Sequence, residues 1–178
     1  VLMNKKALRS LANQITISRI ILGIPIILAL NNDKLAIAWI LILIGAISDF
    51  LDGWLSRKAD GGSAFGATLD PLADKVMLLA PLLWLSSQNL IPLWSIWLLI
   101  TREIIVSGWR SKEPKGGPAS TLGKLKTILQ FISLLMMIWP ESWNIMGDIT
   151  IIRTLGLMFF WPSLFIAIFS GYSYIKIR

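Results

Sequence analysis

Long apolar runs, each closed by a short polar stretch, set the pattern of this chain. Runs of about 20 residues, enough to cross a hydrocarbon core as helix, fall at roughly 15–31, 35–55, 67–87, 91–110, 122–139 and 151–175. The polar stretches between them leave no room for a second domain. The pattern predicts an all-α, polytopic membrane protein with six transmembrane helices, one domain over residues 1–178. Pro25 falls inside the first run and is expected to bend that helix. Residues 1–13 mix Lys5, Lys6 and Arg9 with Leu2, Ala7, Leu8 and Leu11 in helical register. They read as a short amphipathic segment lying at the interface, with a disordered basic tail as the alternative. No cleavable signal peptide, internal repeat or low-complexity tract is expected.

Charge orients the helices. The chain carries 17 Lys and Arg against 10 Asp and Glu, a net +7. Lys5, Lys6, Arg9, Arg57, Lys58, Arg110, Lys112, Lys115, Lys124, Lys126, Lys176 and Arg178 all fall at the N-terminus, the second and fourth connections, or the C-terminus. The opposite connections hold residues 31–34, the uncharged 86–90 and a stretch with Glu141 and Asp148. By the positive-inside rule both termini are cytoplasmic. Basic charge gathered at one membrane face favours anionic lipids and phosphorylated ligands, not nucleic acid.

Against this background four aspartates stand out: Asp49-x-x-Asp52-Gly53-x-x-Ser56-Arg57, then Gly66-x-x-x-Asp70-x-x-x-Asp74. Carboxylates inside apolar helices are costly and mark function by default. At about 100° per residue, Asp49 and Asp52 share one helix face, as do Asp70 and Asp74. Gly53, Ser56 and Gly66 keep the helices thin beside them, so a backbone or bulky ligand can approach. A hairpin around residues 57–65 would gather the four into an acidic cage open to the cytoplasm. Its natural occupant is a hard divalent cation.

Absences narrow the chemistry. The chain has neither histidine nor cysteine, which removes imidazole and thiolate mechanisms, disulfides and the common zinc sites. A general base must then be a carboxylate or, less readily, a Lys or Tyr. Mg²⁺ or Mn²⁺ suits an all-oxygen site. Such a cage at a membrane face fits phosphoryl-group transfer; an ion transporter would more usually scatter its carboxylates near the midplane. A non-catalytic scaffold is a further alternative.

A cationic cluster follows. Arg102 lies well inside the fourth run, with Arg110 at its cytoplasmic end. Side chains at i and i+1 diverge on a helix, so Glu103 is not expected to satisfy Arg102. The partner should be an aspartate of the cage or a ligand phosphate, or else a structural ion pair. Gly123-Lys124-Leu125-Lys126-Thr127 opens the fifth helix and reads as a phosphate site or as ordinary interfacial anchors.

Taken together, Asp49-Phe-Leu-Asp52-Gly53-Trp-Leu-Ser56-Arg57 and Gly66-Ala-Thr-Leu-Asp70-Pro-Leu-Ala-Asp74 resemble the signature of the CDP-alcohol phosphotransferases, D-x-x-D-G-x-x-A-R-x8-G-x-x-x-D-x-x-x-D. Ser56 replaces the usual Ala, a small change in volume. The stretches LDPLADK, ITREIIVSGWR, LGKLKT and NQITISRIILGIP resemble the branch that uses sn-glycerol 3-phosphate, although Ala12 stands where a Pro commonly precedes Asn13. The resemblance implies six transmembrane helices, a homodimer, and a site open to the cytoplasmic leaflet of a bacterial inner membrane. It implies that Asp49, Asp52, Asp70 and Asp74 hold two Mg²⁺ or Mn²⁺ ions and that Asp74 is the general base. Asn13, Thr16, Arg19, Asp52, Gly53, Ser56, Arg57 and Gly66 would contact the CDP moiety, and Arg102, Arg110, Lys124 and Lys126 the acceptor phosphate. The implied reaction joins CDP-diacylglycerol and sn-glycerol 3-phosphate into phosphatidylglycerophosphate and CMP. Sister enzymes of the family use inositol phosphate, serine or phosphatidylglycerol (the cardiolipin synthase reaction) instead. Those acceptors that are uncharged or lipidic have less need of the cationic cluster.

Overall fold

The computed structural model describes residues 5–58, 64–111, 121–143 and 148–176. In chain order these form α1 (Lys5–Asn31), α2 (Leu35–Lys58), α3 (Ala64–Ser87), α4 (Leu93–Ser111), α5 (Thr121–Met137) and α6 (Ile149–Lys176). A 3-10 turn, Glu141–Trp143, precedes α6, and no strand occurs among the described residues. The six helices coincide with the six apolar runs. From Lys5 onward the N-terminal segment is helical and forms the opening turns of α1. Its Ala, Leu, Arg and Gln residues are strong helix formers, and nothing between Lys5 and Gly23 breaks the run. Pro25 is accommodated within α1.

The helix ends have local causes. After α1, Asp33 takes the left-handed conformation (φ 55°). Its N–H donates to the Leu30 carbonyl at 3.2 Å, and that of Lys34 to Ala29 at 2.9 Å. Asn89 (φ 58°) closes α3 the same way, with Asn89 bonded to Ser86 and Leu90 to Leu85, both at 3.0 Å. Asp and Asn tolerate this geometry better than other residues with a Cβ, and the crossed pair of bonds satisfies carbonyls a helix end would leave open. At the start of α6 the Asp148 carboxylate accepts from the Thr150 N–H at 2.8 Å. This N-cap, made through Thr150's side chain and backbone, holds the Asp148 carboxyl below its ordinary pKa.

The chain divides into two compact units, Val1–Pro81 and Leu82–Arg178. In the first, α1 runs antiparallel along α2 through the short turn at 32–34. The inward stripe of α1 is Thr16, Arg19, Gly23, Ile26 and Leu30; that of α2 is Ala38, Ile42 and Gly45. Gly45 is where α3 comes close: an added Cβ would sit 2.1 Å from the Met77 sulfur and 3.3 Å from a Leu22 methyl. In the second unit, α4 and α5 each pack on α6. The inward face of α6 is Ile152, Gly156, Phe160, Ser163, Leu164, Ala167, Ser170 and Gly171. These recur at helical spacing and are mostly small, which lets the backbones close up. At Gly156 a Cβ would lie 3.0 Å from the Met137 backbone nitrogen, and the Ser133 hydroxyl donates to the Gly156 carbonyl at 2.8 Å.

Candidate active site

In the first unit an ion pair lies at one end of the α1–α2 pair. Arg19 comes 14 residues before Asp33 and Asp49 comes 16 after it. At about 1.5 Å per residue the antiparallel helices therefore bring the two to nearly the same level. The apolar stripes end there, and Arg19 Nη1 donates to Asp49 Oδ1 at 2.5 Å. The Arg19 side chain is 1% exposed and that of Asp49 is 44% exposed. A buried cation thus stands behind a carboxylate that still reaches solvent. Thr16, one turn before Arg19, is buried on the same stripe, and Asn13 lies a turn earlier, half-buried.

Of the other expected metal and CDP residues the helices alone are described. Asp52, Gly53, Ser56 and Arg57 stand in the closing turns of α2, and Gly66, Asp70 and Asp74 in the first half of α3. Their side chains lie outside the described residues. So does the chain between the two helices, 59–63. Ala73 and Met77, on either side of Asp74, are buried, which anchors that part of α3. The donor chemistry fits a hard divalent ion: all four expected ligands are carboxylates, and Asp49 is a partly exposed carboxylate beside a fixed cation. Among the described residues alone, no group of three or more acidic side chains gathers.

The second unit corrects the reading of Arg102. Its Nη1 donates to Glu103 Oε1 at 2.8 Å, the neighbour expected to diverge from it. Two long side chains on adjacent positions can bend toward each other where burial makes an unpaired charge costly. Nη2 donates to the Ser170 hydroxyl at 2.6 Å and Nε to the Ala167 carbonyl at 2.7 Å, both on α6. All three guanidinium nitrogens therefore have acceptors within the protein. The structural ion pair, one of the expected alternatives, is present with Glu103 as its acid. Gly171 makes room for this: a Cβ there would come within 3.1 Å of the Arg102 Cγ.

Lys126 on α5 reaches the same Glu103 oxygen and is buried, whereas Lys124 is exposed. Residues two apart on a helix point about 200° away from each other, so the two lysines do not act as a pair. The Thr127 hydroxyl, expected to face a phosphate, donates to the Gly123 carbonyl at 3.1 Å within its own helix. The Arg110 side chain lies outside the described residues. Ser170 and Gly171 carry no signal in the sequence, and Glu103 stands there only as a residue expected to diverge from Arg102. The signal for Glu103 was present, as a carboxylate in an apolar run needs a cation as much as Arg102 needs an anion.

The described part of the site is thus one ion pair, Arg19–Asp49, in the first unit and the Arg102–Glu103–Lys126 group in the second. Residues 9–169 match the profile of the family described as CDP-alcohol phosphatidyltransferase. A Rickettsia typhi protein named CDP-diacylglycerol–glycerol-3-phosphate 3-phosphatidyltransferase is 32% identical over 176 residues, covering 95% of this chain and 97% of its own. Proteins of the same name from Rickettsia prowazekii, 33% identical over 175 residues (94% of each chain), and Bacillus subtilis, 31% identical over 184 residues (93% of each chain), are similarly close. The chain belongs to the CDP-alcohol phosphatidyltransferase family.

Proposed function

We propose that this protein transfers the phosphatidyl group of CDP-diacylglycerol to sn-glycerol 3-phosphate, releasing CMP. The observation that carries the reading is the likeness to relatives named for this activity, which extends over nearly the whole of both chains. The undivided aspartate motif, with all four carboxylates present, supports it.

The primary hydroxyl of glycerol phosphate attacks the phosphorus that bears the diacylglycerol. A new O–P bond forms there, the bond to the CMP oxygen breaks, and the hydroxyl proton passes to Asp74. Asp49, Asp52, Asp70 and Asp74 would hold Mg²⁺ or Mn²⁺, which when bound neutralises charge on the pyrophosphate. Asp52, Gly53, Ser56, Arg57 and Gly66, with Asn13 and Thr16, bind and orient the CDP moiety. Arg19 contributes by holding Asp49. Arg110 and Lys124 receive the acceptor phosphate at the ends of α4 and α5, and Arg102 and Lys126 shape that site from within.

The surroundings are a membrane crossed six times, with both termini and the site on the cytoplasmic side of a bacterial inner membrane, in a homodimer. Asn13–Asn31 and Ile149–Gly171 are long and apolar enough to span. Ile24, Trp97, Met158, Phe165 and Phe169 are exposed, while the inward stripes carry Gly, Ala and Ser. Large apolar residues outside, with Gly, Ala and Ser set among the Ile, Leu and Phe of the inward stripes, suit a lipid surround.

The test is CMP release from CDP-diacylglycerol by the purified protein in detergent with Mg²⁺ or Mn²⁺, offering glycerol 3-phosphate, inositol phosphate, serine and phosphatidylglycerol separately. Release with glycerol 3-phosphate alone, lost on adding EDTA, is expected. Release with another acceptor would move the protein to a sister activity; none with any acceptor would point to the transporter or scaffold readings. Arg110→Ala is expected to raise KM for glycerol 3-phosphate by about tenfold or more with little change in KM for the lipid, through loss of a charge-assisted contact. Equal effects on both would make Arg110 structural.

A further inference from the structure

Among the described residues of the second unit, Glu103 is the one carboxylate set between two cations, and the transfer reaction gives it no part. Its Oε1 accepts from Arg102 at 2.8 Å and from Lys126 on α5. Through Arg102 it is linked to Ser170 and Ala167 on α6. The side chains of Arg102, Glu103 and Lys126 are 11%, 19% and 6% exposed. One acid therefore ties α4 to α5 directly and to α6 through its neighbour.

The consequence concerns the direction in which α5 presents its charge. With Lys126 turned inward on Glu103, Lys124 must face the other way, and it is exposed. On α4, Arg110 stands seven residues after Glu103, two turns along at nearly the same register. The contact thus fixes the rotation of α5 and its alignment with α4, the two helices whose ends carry the remaining acceptor cations. We propose that Glu103 is a positioning residue for acceptor recognition: by holding Lys126 and Arg102 it fixes how α4 and α5, whose ends carry the acceptor cations, are set against each other. This rests on the acceptor reading given under Proposed function.

The experiment compares wild type with Glu103→Gln and Glu103→Asp, full chain in detergent, measuring thermal unfolding, kcat and the separate KM values for glycerol 3-phosphate and CDP-diacylglycerol. Glu103→Gln is expected to raise KM for glycerol 3-phosphate about tenfold, the loss of roughly one charge-assisted contact, and to leave the lipid KM within about twofold. Glu103→Asp, which restores the charge, is expected to recover most of the difference. Should Glu103→Gln not fold, the double variant Glu103→Gln/Lys126→Gln removes the Glu103–Lys126 pair together and leaves Arg102 its acceptors on α6, and it carries the same expected rise. Both KM values rising together, or a loss of active protein with unchanged KM values, would reduce Glu103 to a structural ion pair and overturn the inference. A fall in KM for glycerol 3-phosphate would overturn it too, by showing that Glu103 competes with the acceptor. Wild type that turns over glycerol 3-phosphate while the variants show no split removes this inference alone. Wild type that does not use that acceptor removes the parent reading and this inference with it.

Discussion

Asp74→Asn is expected to abolish CMP release while leaving the protein folded. The chain has no histidine or cysteine, so the proton of the attacking hydroxyl must go to a carboxylate or to a less suitable Lys or Tyr. Asn has the volume of Asp and no basic oxygen to take that proton. General-base catalysis contributes about 10²–10⁴-fold, and weakened metal binding would add to the loss. The fold should tolerate the change because α3 is held here by Ala73 and Met77, both buried, with Met77 packed against Gly45 of α2. CMP release and the thermal transition, measured on the same preparation, check both halves. Retained activity would sink the role of base. Lost activity together with a lost transition would make Asp74 a residue of the fold.

The helices were legible in the sequence because a long apolar run leaves the backbone little choice but to bond to itself. The helical register of the N-terminal segment was legible too, and its continuity with the first apolar run follows because charge pattern does not end a helix and no breaker intervenes. The aspartates stand out as a motif from spacing alone, and the side chains of Asp52, Asp70 and Asp74 lie outside the described residues. Ion-pair partners were not legible in that way. Arg19 and Asp49 are 30 residues apart, and only the register of the α1–α2 turn makes them neighbours. Arg102 and Glu103 failed in the opposite sense, since the rule that adjacent side chains diverge describes the Cβ directions and not the reach of two long, flexible chains. Lys124 and Lys126 looked alike in sequence, and burial separated them.

Asp49→Ala should behave differently from Asp74→Asn, losing stability as well as activity. The activity goes because an expected metal ligand is removed. The stability goes because Arg19, 1% exposed, loses its carboxylate. Losing one charge-assisted hydrogen bond to a buried cation costs about 1–3 kcal/mol, and Arg19 keeps its other interaction. Asp49 is itself 44% exposed, so water can enter in its place and about 2 kcal/mol is the expectation. The diagnostic is the double variant Arg19→Met/Asp49→Leu. Exchanging a buried ion pair for apolar residues of similar volume is often neutral or stabilising, so the thermal transition should return toward that of wild type while CMP release stays absent. If instead the double variant is no more stable than Asp49→Ala, Arg19 is not stabilised through Asp49, and the case for its holding that carboxylate in place falls with it.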